Sequence, residues 1–248
     1  MTLEILICTT VERLHRVAQL LLPPMKEVSY MVSCQGGEPQ EDENAPFGRE
    51  DVVLLTMPER GLSKNRNKAF LSSTGDLLLL CDDDEVLNEE TVRGIISDFE
   101  QHPEWDIIQY EAEGLGKHYP SEYVSSVELV LRRWVADSVR FDERFGLGSP
   151  ELASGEEEVF LHDARGAGAT LGYLPKVVCR VEGESTGKRF LTDGRVQRSK
   201  GAVFCYTRGK CYAYYKCTRE AMGWMLRKRV NPLPLLRNMY WGIRYVKA

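Results

Sequence analysis

The most constraining feature of the sequence is a short, wholly apolar run that has acidic residues on both sides. Residues 77–81 read Leu-Leu-Leu-Leu-Cys, with Asp76 before them and three consecutive aspartates after them. Five residues is a typical strand length, and an unbroken apolar run predicts a strand that is buried on both faces. Such strands are typical of parallel sheets that are covered by helices.

The first half of the chain alternates β-rich runs with helical patterns. The predicted strands are 3–8, 28–33, 52–57, 77–81 and 106–111, and the predicted helices are 12–22, 64–73 (with Ser63 as N-cap) and 89–101. This alternation predicts βαβ units and a largely parallel sheet. Ligands of such sheets bind outside the carboxyl ends of the strands. A site is therefore expected where the loops after these strands meet: Thr9-Thr10, Gln35-Gly36-Gly37, 58–66 and 82–84.

The run Asp82-Asp83-Asp84-Glu85 places four carboxylates directly after the apolar strand. Clustered like charges are costly unless a cation offsets them. Mg²⁺ and Mn²⁺ bind one or two carboxylates and share the rest of their shell with water and substrate phosphates. The run therefore indicates a cation and phosphate site. The alternative is a solvated acidic turn that begins a helix.

Residues 61–84, GLSKNRNKAFLSSTGDLLLLCDDD, resemble a segment of family 2 glycosyltransferases, in which a loop with Ser, Arg and Asn leads through a helix to a strand ending in a DXD motif. The resemblance implies that Arg66 approaches the nucleotide, that Asp82 approaches its ribose, and that Asp84 binds Mn²⁺ or Mg²⁺. Ser63 and Asp83 are expected in the same nucleotide site. An arginine also suits diphosphate, although Arg66 could instead be a structural arginine on the helix.

A second segment, 141–160, FDERFGLGSPELASGEEEVF, resembles the acceptor loop of the same family. That loop ends in Gly-Glu-Asp, whereas this chain has Gly155-Glu156-Glu157. The resemblance implies that Glu157 is the general base that deprotonates the acceptor hydroxyl, with Glu156 and Glu158 as alternatives. A base must lie within hydrogen-bond distance of the proton it removes. The alternative is an acidic first turn of a helix over 156–165.

Three departures from the family pattern affect the donor site. Val181 stands where some relatives have a metal-binding His, and Glu182 beside it is the candidate replacement. Cys8-Thr9-Thr10 through Arg13 occupies the place of the strand end that lines the base pocket, so we expect Thr9, Thr10 and Arg13 to contact the nucleotide. Gln35 stands where the family has an acidic partner of the uracil. None of the four His residues lies in a motif.

The charge is unevenly distributed. The chain has a net charge of −5, yet residues 199–248 carry eleven Lys or Arg and one acid, interleaved with Tyr and Trp. Amphipathic helices are predicted over 222–230 and 235–245. Such helices suit the surface of an anionic membrane, although they could instead cover the sheet. No recognised nucleic-acid-binding module accompanies the charge.

The remaining composition points to a globular protein. No apolar run reaches the 18 residues of a membrane span, and seven cysteines without metal-ligand spacing suggest reduced thiols. We therefore expect a cytoplasmic protein, with possible attachment to the cytoplasmic face of a membrane.

These observations predict an α/β protein of GT-A (Rossmann-like) fold with a mixed, mostly parallel central sheet flanked by helices. The expected division is a glycosyltransferase domain over 1–205, with a nucleotide half near 1–112 and an acceptor half near 113–205, and a basic aromatic helical extension over 206–248.

The expected activity is inverting, hexosyltransferase-like transfer of a sugar from a nucleoside diphosphate sugar, with UDP favoured, to a glycan or lipid-linked acceptor in surface polysaccharide or glycolipid synthesis. The alternatives are an inactive glycosyltransferase-like binding or scaffold protein and a sugar nucleotidyltransferase. The latter usually has a Gly-rich basic signature near its first strand, and 3–13 has none.

Overall fold

The computed structural model describes residues 1–39, 48–115, 124–183 and 186–247 of the chain. Its residues form two compact units. The first unit comprises Met1–Arg140 and Asp163–Gly183, and the second comprises Phe141–His162 and Glu184–Ala248. The predicted division at residue 205 stays a prediction; residues on both sides of it belong to the second unit.

The first unit is built on one sheet. In the described ranges it has eight strands: β1 (Leu3–Thr10), β2 (Val28–Gln35), β3 (Val52–Met57), β4 (Leu77–Asp82), β5 (Glu85–Leu87), β6 (Ile107–Glu113), β7 (Leu129–Arg132) and β8 (Leu171–Val181). Their order is β3-β2-β1-β4-β7-β6-β8-β5. Strands β1 to β4 pair in parallel, as do β6 and β8, whereas β7 and β5 run antiparallel to their neighbours. The prediction of a mixed, mostly parallel sheet is confirmed.

Strand β4 lies inside this sheet, as its apolar run predicts. It pairs with β1 on one side and with β7 on the other, and Leu77, Leu78, Leu79 and Leu80 are at most 1% exposed. Side chains of a strand alternate between the two faces, so four consecutive buried leucines require cover on both. One face packs into a core shared with Ile5, Val32 and Phe99.

Among the described residues, four α-helices lie wholly or partly in the first unit: α1 (Leu62–Ser72), α2 (Glu89–Gln101), α3 (Arg133–Ser138) and α4 (Glu156–Gly166). The predicted α-helix at 12–22 is wrong in type, because Val11–Gln19 is a 3₁₀-helix. Its buried residues Leu14, Val17 and Leu20 are spaced three apart, which is the period of a 3₁₀-helix.

The N-cap assigned to Ser63 is also wrong. Gly61 is the N-cap of α1, with φ at +144°, a value that glycine adopts without the strain of a side chain. Ser63 lies within the helix and is 2% exposed.

In its described residues the second unit has three further α-helices, α5 (Gly194–Arg208), α6 (Lys210–Lys228) and α7 (Pro232–Lys247), and a 3₁₀-helix, Thr186–Leu191. The helix predicted at 222–230 overlaps the end of α6, and the helix predicted at 235–245 lies within α7. Pro232 lies in the first turn of α7, where a helix tolerates the missing N–H. Helices α5 and α7 pack backbone to backbone, since a Cβ added at Gly242 would lie 1.9 Å from the Arg198 carbonyl oxygen.

The seven cysteines lie in described residues and are free thiols. None of the helices that the structure describes is long and apolar enough to cross a membrane.

Candidate active site

The carboxyl ends of the parallel strands bring the predicted polar residues to one edge of the sheet. The register pairs Thr10 of β1 with Gln35 of β2, and Cys8 of β1 with Asp82 of β4. Loops that are 25 and 74 residues apart in sequence therefore begin side by side. The sequence argument from strand ends is sufficient to predict this convergence.

A buried amide holds the first two strand ends together. The Asn65 side chain, at the start of α1, is fully buried, and its Nδ2 donates to the carbonyl oxygens of Thr9 at 3.2 Å and Ser33 at 2.9 Å. Beside it, Gln35 Oε1 accepts from the N–H of Gly61 at 2.6 Å. Gln35 therefore orders the loop before α1, a role that the sequence did not reveal.

The Arg66 guanidinium lies beneath the acidic strand end. The side chain is 1% exposed, and Nη2 donates to Asp82 Oδ1 at 3.1 Å and to Ser126 Oγ at 2.6 Å. Asp82 is one-third exposed, so its carboxylate meets Arg66 on one side and solvent on the other. In this arrangement Arg66 positions Asp82; its contact with a nucleotide stays a prediction.

Asp83 is the buried member of the triplet. Thr9 Oγ1 donates to Asp83 Oδ2 at 2.7 Å, and Arg13 forms an ion pair with Asp83 Oδ1. Burial raises the pKa of Asp83, while the Thr9 hydroxyl and the Arg13 charge act in the opposite direction. The positive charge of Arg13 thus offsets the negative charge of the Asp83 carboxylate, which is largely shielded from water.

Asp84 is partly accessible to water, as Asp82 is. Its side chain is 30% exposed and lies 3.3 Å from the Arg13 guanidinium. Gly183 makes room for it, because a Cβ at that position would lie 2.3 Å from Asp84 Oδ2. The backbone of the same segment meets Asp84 as well, since the Glu182 N–H donates to the Asp84 carbonyl oxygen at 3.0 Å.

The residues fit a divalent cation only if a substrate completes its shell. Among the described residues, no three His, Cys, Asp or Glu side chains are grouped to hold a metal ion. Glu182 pairs with Arg180 at 3.6 Å and is 63% exposed, so its role as a metal ligand stays a prediction. Asp84 by itself suits Mg²⁺ or Mn²⁺ that is shared with substrate phosphates, which is how these ions commonly bind.

Glu85 behaves differently from the three aspartates. It begins β5, is 5% exposed, and its Oε1 accepts from the backbone N–H of Asp82 at 3.0 Å. Burial raises the pKa of Glu85 well above its ordinary value, and the neighbouring charge of Asp82 adds to the shift. Glu85 thus fixes the backbone of the turn, and its buried carboxyl group is not open to a cation.

The candidate bases lie in the second unit. Glu156 and Glu157 occupy the first turn of α4 and are 4% and 8% exposed. Gly155 precedes them with φ at +92°, and a Cβ there would lie 2.4 Å from a methyl group of Val203. The Gly-Glu-Glu run thus combines a required glycine with two carboxylates that are shielded from water within this unit.

Part of the chain matches a known protein family. Residues 40–132 match the sequence model of glycosyl transferase family 2. The resemblance to family 2 glycosyltransferases is confirmed. The match covers more than a third of the chain and includes α1, β4 and the aspartate triplet. No curated protein sequence matches the chain.

Solved structures show the same fold. The structure of S. aureus TarS 1-349 in complex with UDP-GlcNAc has a TM-score of 0.62 at 15% identity, over 96% of this chain and 79% of that one. The longer S. aureus TarS structure has a TM-score of 0.57 at 15% identity, over 92% of this chain and 45% of that one. Glucosyl-3-phosphoglycerate synthase from Mycobacterium tuberculosis, in complex with Mn²⁺, UDP and phosphoglyceric acid, has a TM-score of 0.59 at 12% identity, over 84% of this chain and 78% of that one.

At these identities the structural likeness shows the fold alone, and the fold is GT-A, as predicted. Together, the family match and the likeness support a glycosyltransferase.

Replacing Arg66 tests its structural role. Arg66→Gln leaves Asp82 without its buried partner, so we expect the free energy of unfolding to fall by about 3 kcal/mol. The matched control is Arg60→Gln, which removes the exposed ion pair of Arg60 with Glu12 and should leave the denaturation midpoint nearly unchanged. Urea denaturation of both variants measures the difference; equal midpoints would contradict a positioning role for Arg66.

The raised pKa of Glu85 predicts a pH dependence. Below pH 4.5, the ordinary value for a Glu, Glu85 is protonated in both the folded and the unfolded chain and adds no dependence. Above it, unfolding releases a proton, so this group lowers stability by about 1.4 kcal/mol per pH unit until its folded pKa is reached.

Glu85→Gln has no such proton to release. Its stability relative to the unsubstituted chain should therefore rise as the pH increases above 4.5 in urea titrations. Glu90→Gln, at an exposed acid five residues along, is the control. The same pH trend in both variants would show that Glu85 is not the source.

Proposed function

We propose that the chain transfers a sugar from a UDP-sugar to an acceptor hydroxyl with inversion, in the synthesis of a surface polysaccharide or glycolipid. The observation that carries the proposal is the edge of the sheet at which Arg13 meets Asp83 and Asp84, and Arg66 meets Asp82. This edge combines two partly accessible carboxylates, Asp82 and Asp84, with fixed positive charge and lies at the ligand-binding side of a parallel sheet.

On the donor side, we assign the nucleotide to Thr10, Arg13 and Gln35, and its ribose to Asp82. The Arg66 ion pair keeps one side of the Asp82 carboxylate fixed while the other remains open to a hydroxyl. Arg13 is 41% exposed, so it can also meet a diphosphate without leaving the acidic cluster. UDP is favoured because TarS was solved with UDP-GlcNAc and glucosyl-3-phosphoglycerate synthase with UDP.

Asp84 is the residue that would hold Mn²⁺ or Mg²⁺ against the diphosphate. A bound divalent ion would supply charge neutralisation for the departing nucleoside diphosphate. The complex of glucosyl-3-phosphoglycerate synthase contains Mn²⁺, which supports the same choice of ion here. The Arg13 guanidinium adds a second, permanent positive charge at the same cluster.

On the acceptor side, we assign the general base to Glu157, with Glu156 as the alternative. The base removes the proton of the acceptor hydroxyl as its oxygen attacks the anomeric carbon, and the nucleoside diphosphate leaves from the opposite face. A single displacement inverts the configuration and needs no covalent intermediate on the protein. Glu157 is shielded from water within its unit, a setting in which hydrogen bonds to a carboxylate are strong.

We also propose that residues 206–248 contact an anionic membrane that carries the acceptor. Leu226 and Leu233 are 76% and 69% exposed, and Arg227, Lys228 and Arg229 follow Leu226 directly. Exposed leucines beside a basic run suit the interface of an anionic bilayer, where apolar side chains enter and charges meet headgroups.

Replacing Glu157 tests the catalytic assignment. Glu157→Gln keeps the shape of the side chain but removes the base, so sugar transfer should fall about 100- to 10,000-fold while UDP binding is retained. The assay is the release of UDP from UDP-GlcNAc and UDP-glucose in the presence of a panel of glycan and glycolipid acceptors. Glu143→Gln, at an exposed acid that is not a candidate base, is the control and should keep its activity.

Each outcome of this assay separates the alternatives. Unchanged transfer in Glu157→Gln with loss in Glu156→Gln would move the base to Glu156. Binding of UDP without turnover of either donor in the unsubstituted chain would favour a binding or scaffold protein over an enzyme.

A further inference from the structure

A cavity of about 550 Å³ lies in the second unit between α5 and the beginning of α7. Its volume falls within the range of small-molecule sites in proteins. Two arginines and two asparagines contribute to its lining, and none of the described residues that line it is acidic. None of these residues belongs to the nucleotide, metal or base assignments above, and Leu233 also lies in the segment proposed to contact the membrane.

Arg237 gives the cavity its free positive charge. Its side chain is exposed on α7, and no carboxylate in the described part of the chain forms an ion pair with it. A guanidinium is charged at all physiological pH values and presents a fork of N–H donors. An anion with two or more oxygens is the natural partner for such a fork.

Arg198, on α5, supplies a second guanidinium that is held in place. It forms an ion pair with Glu151, and its guanidinium carbon lies 4.4 Å from the centre of the Trp241 ring. Glu151 offsets much of its charge, so Arg198 adds fixed N–H donors rather than a second net charge. Its Nε is buried without a hydrogen-bond partner in the described residues, so Glu151 does not satisfy the whole group.

The two amides are oriented by the protein. Asn231 Oδ1 accepts from the N–H of Leu233 at 3.0 Å, which leaves its NH₂ group as a donor. Asn238 Nδ2 donates to Gln197 Oε1 at 2.7 Å, which fixes the Asn238 side chain against α5. With these contacts in place, the cavity offers mainly donors.

The geometry points to a binding site for a phosphate ester at this cavity. The Arg237 guanidinium and the donors of Arg198 and Asn231 match the oxygens of a phosphate, and the exposed Leu233 and Pro234 line the same cavity for its organic part. The ester is either a soluble organic phosphate or the headgroup of a lipid. The site does not depend on the proposed sugar transfer.

Phenyl phosphate is the soluble probe, and isothermal titration of the full chain measures its dissociation constant. Arg237→Gln should raise that constant about tenfold, and Arg237→Lys, which keeps the charge but loses the fork, should raise it less. The matched control is Arg244→Gln on the same helix, which removes an equal charge outside the cavity and should change the constant less than twofold. Equal melting temperatures of the variants establish that all are folded.

Three results would overturn the proposal: no binding of phenyl phosphate, equal weakening by Arg237→Gln and Arg244→Gln, or equally tight binding of benzoate. UDP binding should be unchanged in Arg237→Gln, so failure here is distinct from failure of the donor site.

A second arm separates the two sources of the phosphate. The chain is sedimented with vesicles of phosphatidylcholine containing 30% phosphatidylglycerol. Binding to vesicles that phenyl phosphate displaces and that Arg237→Gln weakens more than Arg244→Gln identifies a lipid headgroup. Binding of phenyl phosphate without such displacement identifies a soluble ester. Both results support the cavity as a phosphate site.

Discussion

Four consecutive acidic side chains at the end of a buried strand repel one another, and the polar architecture of the first unit is arranged around that repulsion. The structure stabilises each carboxyl group differently. Asp82 pairs with the buried Arg66, Asp83 accepts a hydrogen bond from the Thr9 hydroxyl and pairs with Arg13, and burial raises the pKa of Glu85. Asp84 shares Arg13 and is partly open to water.

These different surroundings of the four acidic side chains determine what the site can do. Because Asp83 is paired within the protein and Glu85 is buried, the cluster presents the partly exposed carboxylates of Asp82 and Asp84 beside a fixed arginine rather than a four-carboxylate cage. Such a site holds a hard cation only together with phosphate oxygens. It is thus suited to a diphosphate that arrives with its metal, which is the substrate class of the proposed function.

Much of the fold could be predicted from local sequence patterns. The apolar run of β4 and the strand–helix alternation predict the order of elements because periodicity and length are local properties. The 3₁₀-helix after β1 could not be predicted with the same rule, since Leu14 and Val17 fit both a 3.6-residue and a 3.0-residue period. The N-cap at Gly61 depends on a positive φ that only the folded loop imposes.

The residues that form the site could be predicted from the sequence, but the partner of each side chain could not. The residue types after the strand ends indicated which side chains meet, whereas the pairing of Arg66 with Asp82 and of Arg13 with Asp83 depends on strand register. The raised pKa of Glu85 follows from burial, which the acidic run by itself does not reveal. Glu182 lies 3.6 Å from Arg180 and is 63% exposed, and its role as a metal ligand stays a prediction.

The central claim is that the aspartate triplet forms part of a nucleotide-sugar site, and calorimetric titration with UDP tests it most directly. The account predicts that UDP binds, that Mn²⁺ strengthens the binding, and that Asp84→Asn removes the effect of Mn²⁺ while the fold is unchanged. Absence of binding of UDP and UDP-GlcNAc, with and without Mn²⁺, would contradict the claim.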